Sequence, residues 1–188
     1  MANYTQKAII QTFEDMLHDM PFDKITVSAI VSRCDISSNT FYYHFHDIYD
    51  LLEKWLDTKE TKYFDKNDMN VNWEETLKTI FHDVQDHPDI VNHIFNSISR
   101  ERLERYAFDS VEATIYQLVQ NKAEGSSLSE ESQKMIASIC CYTLFGFLIK
   151  FIWNGMSADV DQSIDQLGII FEKSIEYIIN NKQDILHI

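Results

Sequence analysis

The chain has 188 residues, 45% of them hydrophobic and 13% aromatic, with a formal net charge of −14. That composition supports a packed core and excludes a disordered polyelectrolyte. Four glycines and two prolines, Pro21 and Pro88, leave little material for hairpin turns, so the expected fold class is all-α.

Residues 5–18 read as a first helix, with Thr5 as its cap and Ile9, Phe13, Met16, Leu17 and Met20 at helical spacing along one face. Pro21 breaks it. A second helix starts after Thr26, a cap whose hydroxyl can also donate to a phosphate, and turns Val27, Ile30 and Val31 inward. Asp35 occupies the following turn, where a left-handed backbone is often needed. Ser37 caps a third helix over Ser38, Asn39, Thr40, Phe41, Tyr42, Tyr43 and His44. Phe41 and Phe45, four apart, should pack inward. Ser38, Asn39, Thr40, Tyr42, Tyr43 and His44 are then left at or near the outer surface. Short helix, tight turn and second short helix follow the pattern of a helix-turn-helix, whose second helix enters the major groove of DNA.

Asp47 is the expected cap of a fourth helix bearing Ile48, Leu51, Leu52, Trp55 and Leu56. A loop is expected over residues 70–72. Helical stripes follow at Leu77, Ile80, Phe81 and Val84, at Ile90, Val91, Ile94, Phe95 and Ile98, and at Leu103, Ala107, Val111, Ile115 and Leu118. Ser127 with Glu130 fits a capping box for a helix running to Trp153, ended by Asn154-Gly155. The last helix carries Ile164, Leu167, Phe171, Ile175 and Ile178. These final two helices are too apolar for a plain surface position, and Gly146 and Gly168 would admit close neighbours, so they are expected to form a homodimer interface.

Three cysteines make no secreted framework, no signal peptide opens the chain, and the apolar run Ile139–Ile149 is shorter than the roughly 20 residues of a membrane span. A soluble cytoplasmic protein without a membrane partner is expected. His82, Asp83, Asp86, His87, Asp89 and His93 cluster in sequence, but Pro88 interrupts any helical ligand spacing, and no metal or cofactor is expected. Cys140 and Cys141 read as core residues. No nucleophile elbow or phosphate loop is present, and the chain is not expected to be an enzyme. Over residues 1–62, six bases face ten acids, a net −4 that makes non-specific DNA binding weak and salt-sensitive.

The run Thr26 to Phe45, followed by Asp50-Leu51-Leu52, resembles the N-terminal domain of TetR-type transcriptional regulators across about residues 5–55. The Thr40-Phe41-Tyr42-Tyr43-His44-Phe45 form, with Pro21 to Ile25 upstream, is similar to regulators of dihydroxyacetone-kinase operons. The resemblance implies a helix-turn-helix DNA-binding domain over 1–48 and a helical ligand-binding and dimerisation domain over 49–188. It further implies a homodimer on a double-stranded DNA operator, most often a repressor released by a small molecule. Thr26, Thr40, Tyr42, Tyr43 and His44 sit where relatives contact phosphates or bases, and Ser37, Ser38 and Asn39 complete the candidate DNA-binding set. The sequence departs from the family at Ile48, commonly Lys, at Ser38, Arg in many close relatives, and at Asp35, usually Gly. Some apolar pocket is implied, with Trp55, Phe81, Phe95, Tyr142, Phe145 and Phe151 as candidate lining. The acidic head keeps an alternative open: a co-regulator of the same fold that binds a partner protein and little DNA of its own.

Overall fold

The computed structural model describes residues 2–63, 73–126 and 128–181. Among these, nine α-helices and no strand occur: α1 (Ala2–Asp19), α2 (Val27–Arg33), α3 (Ser38–His44), α4 (Ile48–Tyr63), α5 (Trp73–Asp86), α6 (Pro88–Phe95), α7 (Arg100–Lys122), α8 (Glu130–Trp153) and α9 (Val160–Asn180). The all-α expectation holds. Two compact units result, one of Met1–Val71 with Asp86–Leu103, the other of Asn72–Gln85 with Glu104–Ile188.

In the first unit α1 packs against α2, α4 and α6, and α2 against α3. Its core is built on Ile9, Phe13, Leu17, Ile30, Phe41, Phe45 and Leu51, all essentially without solvent contact. Burying each large side chain contributes roughly 1.5–3 kcal/mol before entropy is counted. Phe13 meets Phe22 and Trp55 edge-on at 6.2 and 6.3 Å, so the aromatic rings tie α1 to both neighbours. Helix α1 begins at Ala2, and Thr5 lies inside it rather than capping it; the helix-compatible residues before Thr5 carry the backbone through. Helix α6 starts where Pro88 takes the first helical position, needing no N–H there. His93 Nδ1 lies 2.7 Å from the Leu17 carbonyl and His18 Nδ1 lies 2.6 Å from Asp89, fastening α6 to the end of α1.

In the second unit Phe81 of α5 packs on Phe147 and Phe151 of α8, each at 5.2 Å, while Trp73 stacks on Phe171 of α9 at 6.0 Å. Lys78 bridges to Asp165 at 2.7 Å and Lys122 of α7 to Glu172 at 2.8 Å. Ser129 caps α8 through the Ser132 N–H at 3.2 Å, which puts Glu130 at the first helical position instead of the third; Ser127, Asn70, Val71 and Asn72 lie outside the described residues, as do the side chains of Leu103 and Ala107. Gly155, at φ 68°, ends α8 by donating its N–H to the Ile152 carbonyl.

Helix α8 is long and apolar enough for a membrane span by length and composition, and much of it is buried in the structure. Core helices share that composition. Its remaining face carries Ile139, Tyr142, Gly146 and Trp153 at helical spacing, all exposed, and α9 likewise exposes Ile169, Ile170 and Tyr177. Gly168 does not belong to that outer face. It is buried against Glu74 of α5, whose carboxylate fills the space a Cβ would take. Burial, with Glu172 and Asp165 nearby, raises the Glu74 pKa.

Candidate nucleic-acid interface

Two hydroxyl caps define the helix-turn-helix. Thr26 Oγ1 accepts from the Ala29 N–H at 3.2 Å, and Ser37 Oγ accepts from the Thr40 N–H at 3.0 Å. Between the helices, Asp35 adopts φ 52°, the left-handed turn its position demanded, and the Ile36 N–H closes on the Val31 carbonyl at 3.1 Å. Asp47 then caps α4 by accepting from the Asp50 N–H at 2.9 Å, while Asp50 accepts from the His46 N–H at 2.8 Å. Together the two carboxylates satisfy the backbone N–H groups on either side of the turn into α4.

Phe41 and Phe45 are buried with their rings 5.6 Å apart, and they fix α3 to the core. The opposite face presents Ser38, Asn39, Tyr42 and Tyr43 to solvent, with Tyr42 57% and Tyr43 77% exposed. The two neighbouring rings leave a patch of aromatic surface in water. Thr40 is half-buried, and its hydroxyl lies 2.8 Å from Ser37 Oγ, so the two hydroxyls serve each other as well as the cap. His44 is half-buried against Tyr43, ring centroids 5.0 Å apart. Of the eight residues chosen from sequence, four therefore form the exposed row of α3, three belong to caps, and His44 closes its end.

The head's cations are mostly spent on its own acids. Arg33 pairs with Asp19 at 3.2 Å, Lys24 with Asp23 at 3.3 Å, Lys54 with Asp57 at 3.2 Å and Lys59 with Glu14 at 2.8 Å. The Glu14 pair is the most enclosed. Burial pushes its carboxyl up, but hydrogen bonds from Lys59 and from Trp55 Nε1, 2.9 Å away, outweigh this and hold it below the usual range. Arg102 lies over the Tyr49 ring at 3.9 Å, a cation–π contact. Lys24–Asp23 and Lys54–Asp57 are local pairs, whereas Arg33–Asp19, Lys59–Glu14 and Arg102–Tyr49 join residues 14 or more positions apart that no local spacing signals.

The aromatic residues considered for a pocket are divided between the two units. Trp55 and Phe95 belong to the first unit, and Phe81, Phe145 and Phe151 are buried in the second. Tyr142 is 66% exposed, its ring 4.5 Å from that of Phe108. The histidine-rich segment is used structurally: besides the α6 contacts, His82 lies 3.1 Å from Asp161. No group of three or more metal-ligating side chains occurs among the described residues. Burial pushes Cys140 and Cys141 up to about 11, which leaves both as thiols at neutral pH.

Comparison with known proteins agrees with this architecture. Residues 9–54 match the family model described as bacterial regulatory proteins, tetR family, and residues 71–173 match one described as a transcriptional regulator C-terminal region. Among solved structures, the chain is similar to a dihydroxyacetone kinase operon activator, DhaS, at 18% identity with a TM-score of 0.70, covering 92% of this chain and 97% of that one. It is also similar to a transcriptional regulator from Aquifex aeolicus VF5 at 18% identity and a TM-score of 0.50, covering 93% of this chain and 99% of that one. No curated protein sequence matches. With both of its parts matched and its helix-turn-helix in place, the chain belongs to the TetR family of bacterial transcriptional regulators, DNA-binding transcription factors rather than enzymes.

Proposed function

We propose that this regulator acts as a cytoplasmic homodimer on an operator near its own gene, under the control of a small molecule or partner protein bound by the second unit. The observation that carries the DNA contact is the exposed row Ser38, Asn39, Tyr42 and Tyr43 on a helix anchored by Phe41 and Phe45. Tyr42 and Tyr43 present hydroxyls suited to phosphate oxygens, with Thr26 and the Ser37–Thr40 cap at the edges and His44 at the end of the row. The dimer reading rests on Ile139, Tyr142, Gly146 and Trp153 of α8 with Ile169, Ile170 and Tyr177 of α9, an apolar outer face that a second copy would bury. Two heads would then read two half-sites. For the ligand, Phe81, Phe145 and Phe151, buried in one unit, are the candidates that remain together.

Repression is the direction the family resemblance favours. Activation is a second reading, favoured by the structural likeness to an operon activator. Titration of the purified protein against the duplex upstream of its own gene tests the core of the proposal. Saturable binding supports it. No binding even at low salt would leave the co-regulator reading, motivated by the paired cations of the head. A reporter assay with and without the gene then separates repression from activation.

A further inference from the structure

The exposed row of α3 differs from its capping residues in what it leaves open. Ser37 and Thr40 are hydrogen-bonded to each other, whereas the side chains of Ser38, Asn39, Tyr42 and Tyr43 have no hydrogen-bond partner among the described residues. The same helix carries no Arg, Lys, Asp or Glu. Arg33, the base at the end of α2, is held by Asp19.

Those absences decide which bases can be read. In the major groove guanine offers two acceptors, met best by Arg or Lys, and cytosine offers a donor met by Asp or Glu. Adenine offers one donor and one acceptor side by side, the pattern that the amide of Asn or Gln complements. Asn39 is the one amide on α3, exposed and unengaged. It stands one turn before Tyr42 and Tyr43, whose exposed hydroxyls are suited to phosphate oxygens. His44 could donate to guanine, but it is half-buried and in ring contact with Tyr43 and Phe45.

We propose that α3 reads adenine through Asn39 and that the operator half-sites turn on A·T pairs, an inference that rests on the DNA-binding reading above.

Selection of duplexes from a randomised library, using the full chain and its variants, tests the inference. The expected wild-type consensus has an A·T pair in each half-site whose replacement weakens binding by about 5- to 150-fold. Asn39→Ala should lose that preference while still retaining duplexes, and Asn39→Arg should shift it to G·C at the same position. A wild-type consensus anchored on G·C pairs, or an A·T preference unchanged in Asn39→Ala and Asn39→Arg, would overturn the proposal. Retention of no duplex at the lowest salt would overturn the DNA-binding reading and this one with it.

Discussion

Arg33, the last residue of the helix that precedes the reader helix, places its guanidinium 3.2 Å from the Asp19 carboxylate instead of leaving it for a phosphate. Both side chains are about half exposed, so the pair contributes little to stability, on the order of 0–1 kcal/mol. Its effect falls on binding. Asp19→Asn is expected to tighten operator binding several-fold and to steepen the salt dependence by about 2 for a dimer, one phosphate per head, with an unchanged melting temperature. Titrations at several salt concentrations check both.

Asp35 pays twice for its position, with a φ of 52° and a carboxylate beside the reader helix. Asp35→Gly should relieve the left-handed strain and raise stability by about 0.5–1 kcal/mol, read as a higher melting temperature. The same change removes a negative charge from each head and should tighten DNA binding.

Tyr42 separates contact from packing. Its ring is edge-on to Phe41 at 5.5 Å, and Tyr42→Phe keeps that contact while deleting the hydroxyl. Binding should weaken by about 2- to 12-fold, the range of one lost neutral hydrogen bond, at an unchanged melting temperature. Unaltered affinity would remove Tyr42 from the interface. Phe41→Ala, by contrast, should cost about 3–5 kcal/mol and unfold the head, because Phe41 is fully buried.

The sequence disclosed the head more fully than the body, and the reason is physical. Caps, the turn at Asp35 and the inward pair Phe41 and Phe45 depend on residues within a few positions of one another, so spacing reveals them. Lys59 on Glu14, Arg102 over Tyr49 and His93 on the Leu17 carbonyl join residues tens of positions apart, and no periodicity encodes them. Gly168 shows the same limit: its place in α9 suggested a contact between helices, but which partner fills the gap, Glu74, emerges only from the fold. The pocket set mixed two units because aromatic residues in a helical stripe look alike wherever they are buried.

Glu14 gives the account a pH signature. It accepts from buried Trp55 and from Lys59, and its folded-state pKa lies below the ordinary value of 4.5. A lowered carboxyl pKa stabilises the fold above the unfolded pKa, and that contribution is lost as pH falls through the folded value. Glu14→Ala also strands the Trp55 N–H and should cost about 1–3 kcal/mol at neutral pH. Glu14→Gln keeps an acceptor and should cost less. Both deficits should narrow in thermal melts as pH drops below about 4.

The outer face of α8 and α9 bears on assembly. Ile139→Glu combined with Tyr142→Glu places two charges per copy on an exposed apolar row, which a monomer tolerates and a dimer interface does not. Sedimentation velocity at micromolar protein should show the wild type as a dimer and the double variant as a monomer with weakened DNA binding. A monomeric wild type would leave the apolar face without this explanation.

The most direct measurement of the central claim is a hydroxyl-radical footprint of the full chain on the duplex upstream of its gene at low salt. Two protected patches, their centres one helical turn (about 34–36 Å) or a multiple of that apart, are the predicted result for two reader helices in successive major grooves. Uniform cleavage at saturating protein would contradict it.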